Sequence, residues 1–304
     1  MFFQNQKMKK FLFLFLLIKM SWVSSQTFVV VDSLSKEPLA YANVVLDDKK
    51  MLYTNEKGKF SVSDPFEYIS ISYLSYYELN AAKNTISDTI YLRPLTYTME
   101  PINVSTRKIV KKIGVVKQSK RFKNLSFSGC DELIVFLRPT RADIIDGFID
   151  KVEIPLNKDK SESLYQSVTS IVRINIYTTD AHNLPKDKIY SSAPIRYLPS
   201  KDKLITVDLK DEAIQINEIG LCFGLEYIGM IDENGEIRTL LSHLRPVITE
   251  ETSTDYQAVT YLTNSAFKRK KYFYPINNSF NDIKDSRNTS PQNYNLAISL
   301  TISK

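Results

Sequence analysis

Histidine, cysteine and glycine, on which most metal, redox and phosphate chemistry depends, are scarce: the 304 residues hold two, two and eight of them. Catalytic zinc commonly takes three protein ligands, often two histidines with a carboxylate. His182 is followed by Asn-Leu-Pro and His243 by Leu-Arg-Pro, so neither opens an H-x-x-E or H-E-x-x-H pattern, and both are read as structural or solvated. No metal and no cofactor is expected. Phosphate-cradling loops need closely spaced glycines. The nearest set, Gly220, Gly224 and Gly229, falls inside an apolar strand-like run, where a bulge or close packing is the ordinary reason for glycine.

Nucleophile signatures are missing as well. Ser70, Ser72, Ser126 and Ser128 alternate along strand-like runs, with no G-x-S-x-G turn. Cys130 and Cys222 lie in or beside apolar runs without a neighbouring histidine in sequence and read as small hydrophobes. A disulfide between them needs Cα atoms within about 7 Å, which sequence does not supply. No catalytic residue is assigned, and the chain is expected not to be an enzyme.

No apolar run approaches the roughly 20 residues of a membrane-crossing helix. The longest near the start, Phe11 to Ile18, follows Lys7, Lys9 and Lys10 and precedes Ser21, Ser24 and Ser25. That layout is a signal peptide's, with cleavage expected before Gln26 and Met8 an alternative start. No cysteine near the cleavage point offers a lipid attachment site. Removing lysines 7, 9, 10 and 19 with residues 1–25 takes the net charge from +6 to +2. Eight basic residues and no acid then fall between Arg107 and Lys123, leaving the remainder acidic.

Apolar residues recur at period two through most of the chain, with β-branched and aromatic residues filling the runs. Strands are expected at 27–32, 42–46, 59–62, 68–73, 89–92 and 102–105, then at 133–137, 149–156, 171–177, 204–209, 220–231, 256–262 and 294–302. Asn55-Glu56-Lys57-Gly58 and Asp232-Glu233-Asn234-Gly235 carry the chemistry of hairpin turns. Long loops are expected at 178–202 and 263–293. The fold class is therefore all-β: two β-sandwich domains at 26–105 and 126–304, joined by a basic linker at 106–125, after the signal peptide at 1–25. Val44, Leu46, Phe60, Ile69 and Ile71 are the expected core of the first.

The first region resembles the carboxypeptidase regulatory-like domain, a transthyretin-like seven-stranded sandwich widespread in exported proteins of Bacteroidetes. The likeness is carried by Val31-Asp32 with Glu37-Pro38-Leu39, by 42–46 (Ala-Asn-Val-Val-Leu), by 54–60 (Thr-Asn-Glu-Lys-Gly-Lys-Phe), by 69–76 (Ile-Ser-Ile-Ser-Tyr-Leu-Ser-Tyr) and by 89–92 (Thr-Ile-Tyr-Leu). It implies a folding and interaction module in which these residues pack or turn and none is catalytic. The second region is similar, more distantly, to galactose-binding-like jelly rolls through 149–154, 173–177, 207–209 and 224–228.

Acid clusters at Asp143, Asp146 and Asp150, and at Asp232, Glu233 and Glu236, lack a full D-x-D-x-D-G calcium loop and read as solvated turns that protect strand edges. Two basic patches remain, 107–123 and Lys268-Arg269-Lys270-Lys271 ahead of Tyr272 and Tyr274. Their plain reading is a lysine-rich linker and a charged edge strand. Basic residues among aromatics can hold nucleic acid, but with export an anionic surface glycan, a lipid head group or an acidic protein fits these patches better, and the expected partner is a glycan or an envelope protein. Lys268, Arg269, Lys270, Lys271, Tyr272 and Tyr274 are the candidate contacts, with the 178–202 loop. The expected function is a non-enzymatic binding or scaffolding protein, periplasmic, outer-membrane-associated or extracellular. The alternatives are an accessory protein of an outer-membrane transporter and a degenerate hydrolase.

Overall fold

Val44, Leu46, Phe60, Ile69 and Ile71 all lie in one buried cluster, so alternation along the first region does place one face of each strand inward. The structure, a computed structural model, describes residues 25–95, 109–114, 130–157, 168–232, 234–239, 244–249, 253–264, 272–276 and 294–304. The expected signal peptide and the strand at 102–105 lie outside the described residues.

Seven strands build the first sandwich among the described residues: β1 (Gln26–Asp32), β2 (Asn43–Leu46), β3 (Lys50–Tyr53), β4 (Lys59–Val62), β5 (Tyr68–Ser72), β6 (Leu79–Ala82) and β7 (Thr89–Leu92). They form a sheet in the order β4-β1-β7 facing another in the order β3-β2-β5-β6. Phe28, Val30 and Phe60 from the first meet Val44, Ile69 and Ile71 from the second, each worth about 1.5–3 kcal/mol on burial. The Phe28 and Phe60 rings stack at 5.2 Å between centroids.

The turn at 55–58 differs from the expected hairpin, because it passes the chain from β3 in one sheet to β4 in the other. Its glycine is nonetheless required. Gly58 has φ of +68°, and a Cβ there would stand 2.6 Å from the Val30 carbonyl oxygen. The tight hairpin that does occur, between β2 and β3, is made by Asp47 and Asp48 at φ of 49° and 54°, with Lys49 N–H donating to the Leu46 carbonyl at 2.9 Å. It is a three-residue loop, 47–49, whose two left-handed positions usually take glycine or asparagine, and without them it leaves no sequence signal.

The second region continues with β8 (Ile109–Gly114), β9 (Asp131–Pro139), β10 (Phe148–Pro155), β11 (Ser170–Thr179), β12 (Pro185–Ser191), β13 (Ile195–Tyr197), β14 (Leu204–Asp208), β15 (Leu221–Ile231), β16 (Ile237–Arg238), β17 (Ile248–Thr249), β18 (Tyr256–Asn264), β19 (Tyr272–Pro275), β20 (Asn295–Leu296) and β21 (Ser299–Ser303). An eight-stranded sheet with the path β12-β11-β15-β9-β18-β19 also takes in β13 and β16, and it faces a four-stranded sheet in the order β14-β10-β21-β8. Leu133, Val135, Ile174, Phe223 and Leu225 from the larger sheet meet Ile149, Val152, Val207, Leu300 and Ile302 from the smaller. Among the described residues no helix is long and apolar enough to cross a membrane.

Three expected connections contain strands. Within the stretch read as a linker, β8 pairs antiparallel with β21 and buries Ile113, while Lys111 and Lys112 reach Asp255 at 2.7 Å and Glu153 at 2.6 Å. Its basic residues are thus neutralised by acids of the second sandwich. The 178–202 stretch contributes β12 and β13, both paired with β11, and the 263–293 stretch contributes β19, paired with β18. β8, β12 and β19 lie at sheet edges, where ladder hydrogen bonds rather than alternating burial define a strand; lysines hide β8 and β12, whereas β19 falls in the segment also read as a charged edge strand.

Cys130 and Cys222 are both buried, and no disulfide joins them. Cys222 lies opposite Phe136 in the β15–β9 ladder, whereas Cys130 immediately precedes β9 and donates its amide to Tyr227. Six residues along a strand span on the order of 20 Å, beyond the reach of a disulfide. Alkylation of the native chain should therefore leave both thiols unmodified and modify both after unfolding; an intramolecular disulfide in the folded chain would contradict this arrangement.

Candidate functional site

Strand β11 reads Ile171-Val-Arg-Ile-Asn-Ile-Tyr177, and period two turns Val172, Ile174 and Ile176 into the core and Arg173, Asn175 and Tyr177 to the opposite face of the large sheet. Register then brings polar partners beside them: Arg173 lies opposite Glu226, Asn175 opposite Gly224, and Glu226 opposite Glu132. The outward face of a sandwich ordinarily meets water. Here Glu132, Arg173, Asn175 and Glu226 are 3%, 6%, 0% and 5% exposed.

The cover over Arg173 and Glu226 includes the first sandwich. Tyr53 donates its hydroxyl to Glu226 Oε1 at 2.6 Å, Arg173 Nη2 donates to the Tyr41 carbonyl at 2.9 Å, and Cys130 Sγ lies 3.6 Å from the Met51 carbonyl oxygen. Tyr41 and Tyr53 pack with Cys130, Ile171 and Ile228 in an apolar cluster shared by both sandwiches. At the rim, Asn55 Nδ2 donates to Glu236 Oε1 at 3.1 Å, and the Arg196 guanidinium pairs with the Glu56 carboxylate.

Inside this seam the hydrogen bonds interlock. Asn175 Nδ2 donates to Glu132 Oε1 at 2.8 Å and to Glu226 Oε2 at 2.9 Å, while its own carbonyl accepts from Ser191 at 2.7 Å. Tyr177 donates to Glu132 at 2.8 Å, and the Arg173 guanidinium stands 3.6 Å from Glu226. Gly224 is glycine for a steric reason: a Cβ there would lie 2.0 Å from Glu132 Oε1. The close-packing reading of this glycine holds, and what packs against it is a carboxylate.

Electrostatics favour one protonation state. Burial pushes the Glu226 carboxyl up, but the Arg173 and Lys188 cations and the hydrogen bonds from Tyr53 and Asn175 outweigh it and hold the group at about 2. Burial, then the nearby glutamates, push the Tyr53 and Tyr177 phenols well above their ordinary value. Burial likewise raises the Cys222 thiol to about 12 and the Cys130 thiol further. At neutral pH the seam therefore contains an ionised Glu226, neutral phenol donors and neutral thiols. Acid–base catalysis works best with a group poised near the working pH, and none of these shifted groups is.

The candidates drawn from sequence are scattered. Asp143 is exposed and paired with Arg141 at 2.6 Å, whereas Asp150 is buried and accepts from Ser303 at 2.8 Å. Asp232 caps its own turn through the amides of Asn234 and Glu236, and Glu236 belongs to the seam rim. His182 is exposed. Among the described residues no three His, Cys, Asp or Glu side chains gather as metal ligands do. Lys268, Arg269, Lys270 and Lys271 lie outside the described residues, as do His243, Glu233, Ser126 and Ser128; Tyr272 and Tyr274 fall on the edge strand β19, with their side chains outside the description. No motif marks the seam in the sequence. Its signal was the placement of Arg173, Asn175 and Glu226 within the most apolar strands of the chain. No protein-family model and no curated protein matches the sequence.

Because the Glu226 carboxyl is depressed from 4.5 to about 2 in the folded state, its stabilisation is complete above pH 4.5 and is lost as pH falls toward 2. Urea unfolding of Glu226→Gln should show a flatter acid limb than the parent, and superimposable limbs would contradict the assignment. Glu226→Ala, which leaves Arg173 buried without this counter-charge, should destabilise by about 3–5 kcal/mol at neutral pH.

Proposed function

We propose that this chain is an exported, non-enzymatic binding or scaffolding protein of a bacterial cell envelope, recognising a glycan or an envelope protein. In this reading the first sandwich, of the carboxypeptidase regulatory-like kind, is a rigid spacer, and the second is a jelly-roll-like domain that presents the recognition surface. The seam is the observation that supports it. Its carboxylates, amide and phenols are engaged with one another and shielded from solvent, so the most chemically capable side chains of the described residues serve to fix orientation. Recognition then falls to loops and edge strands carried on a rigid frame. β19 brings Tyr272 and Tyr274 to one edge of the large sheet, beside Lys268, Arg269, Lys270 and Lys271 in sequence, which keeps this segment the contact candidate.

A second reading, a degenerate hydrolase, draws on Glu132 and Glu226, two carboxylates held by one amide. Such a pair needs access to substrate, and therefore a seam that opens. A third, an accessory protein of an outer-membrane transporter, is separated by co-purification with a receptor.

The test is a thermal-shift screen of the chain from Gln26 onward against purified glycans and envelope extracts. A ligand at about 100-fold its Kd should raise the midpoint by about 5–10 °C without release of product. Product release that Glu226→Gln abolishes would overturn the non-enzymatic reading in favour of the hydrolase.

A further inference from the structure

Around the β2–β3 turn, three connections of the first sandwich converge on one exposed aromatic ring. Asp47 Oδ1 accepts the backbone N–H groups of Glu67 at 2.9 Å and Tyr68 at 2.8 Å, and the Asp47 amide donates to the Tyr68 carbonyl at 3.0 Å. The turn is thereby clamped to the start of β5. Both neighbours of this contact are unusual for a surface: Asp47 and Asp48 hold positive φ without glycine, and Tyr68 is 60% exposed while Ile69 beside it is buried.

Tyr68 stands between two grooves. One, of about 720 Å³, lies between Tyr68 and the 47–49 turn and includes Asp48, Lys49 and Glu67. The other, of about 540 Å³, lies between Tyr68 and the end of β6 and includes Phe66, Lys83 and Asn84. Lys83 is held there with its ammonium 4.9 Å from the centre of the Phe66 ring. The wall is therefore an aromatic platform, open on both flanks, with acceptors and donors of both charge signs around it.

That combination matches one ligand chemistry well. A pyranose has a face of C–H groups and a rim of hydroxyls. The electron-rich face of a phenol attracts the former, while carboxylates accept from the latter and ammonium and amide groups donate to them. Mixed charge favours a neutral sugar over an anionic one, and two grooves that share the segment 66–68, with Tyr68 its exposed aromatic, suit a chain of sugars over a single unit. The clamp from Asp47 fixes the backbone beforehand, which lowers the ordering free energy that binding must overcome.

We propose that Tyr68 and its two flanking grooves form a subsite for a neutral oligosaccharide, one pyranose ring stacking on the phenol and its neighbours lying against Glu67 and Lys49 on one side and Lys83 and Asn84 on the other. The proposal rests on the glycan branch of the function proposed above and adds to the second sandwich's candidate surface a site on the first.

The chain from Gln26, which carries all the described strands, is titrated with hexaoses of β-1,4-glucose, α-1,4-glucose, β-1,4-mannose and β-1,4-N-acetylglucosamine, read by calorimetry and by amide chemical shifts. At least one hexaose should bind and shift the amides of Glu67, Tyr68, Lys83 and Asn84. Tyr68→Ala should weaken it at least tenfold with an unchanged melting temperature, and Tyr68→Trp should bind within threefold of the parent. Binding that survives Tyr68→Ala but is lost in Tyr272→Ala/Tyr274→Ala overturns this subsite and leaves the glycan reading standing. Absence of binding by every hexaose overturns the subsite too, and the envelope-extract screen then decides the broader function separately.

Discussion

A carboxylate removed from water must be matched by positive charge and hydrogen-bond donors, or it does not stay ionised. Glu226 meets that condition by drawing on both sandwiches: the Arg173 and Lys188 cations and the Asn175 amide come from its own sheet, and the Tyr53 hydroxyl comes from the first domain. The arrangement ties domain docking to the electrostatics of Glu226. If Tyr53 withdrew, Glu226 would lose a donor that no neighbouring strand replaces, and the Arg173 contact to the Tyr41 carbonyl would go with it. An apolar seam of the same area would tolerate sliding, whereas a polar one with directional bonds accepts one register.

The consequence reaches function through rigidity. Under the proposed function, two sandwiches joined by such a seam would present their loops and edges at fixed separations to an extended or repeating partner. The same logic explains the thiols. Cys130 sits in the apolar part of the seam among Tyr41, Tyr53, Ile171 and Ile228, and Cys222 sits further along the same face with Ile134, Phe136 and Tyr261. Each fills space in an environment that disfavours the thiolate.

Much of the architecture could be read from period two alone, because alternation is a direct imprint of one buried face. The central strands β1, β9, β10, β11 and β15 were legible within a residue or two at most ends. The edge strands β8 and β12 were not, since their ladders need no apolar alternation and their lysines suggested linker or loop, while β19 fell between a long-loop reading of 263–293 and a charged-edge-strand reading of the segment from Lys268 to Tyr274. The β2–β3 hairpin was missed because Asp47-Asp48 adopts a geometry usually signalled by glycine. The seam was half legible. Arg173 and Asn175 alternating with Val172, Ile174 and Ile176 mark a polar stripe, but period two assigns such a stripe to solvent, and nothing local says that a second domain will cover it. Only register, which joins residues about 50 and 170 positions apart, turns separate polar residues into one network.

Everything downstream of the seam requires the two sandwiches to move as a single rigid body. Residual dipolar couplings, measured on deuterated, 15N-labelled chain in a weakly aligning medium, test this most directly. Couplings from β1–β7 and from β9–β18 should fit one common alignment tensor, with the relative orientation that brings Tyr53 to Glu226 and Arg173 to the Tyr41 carbonyl. Two tensors of different magnitude or axis would mean that the domains move independently and that the seam does not hold.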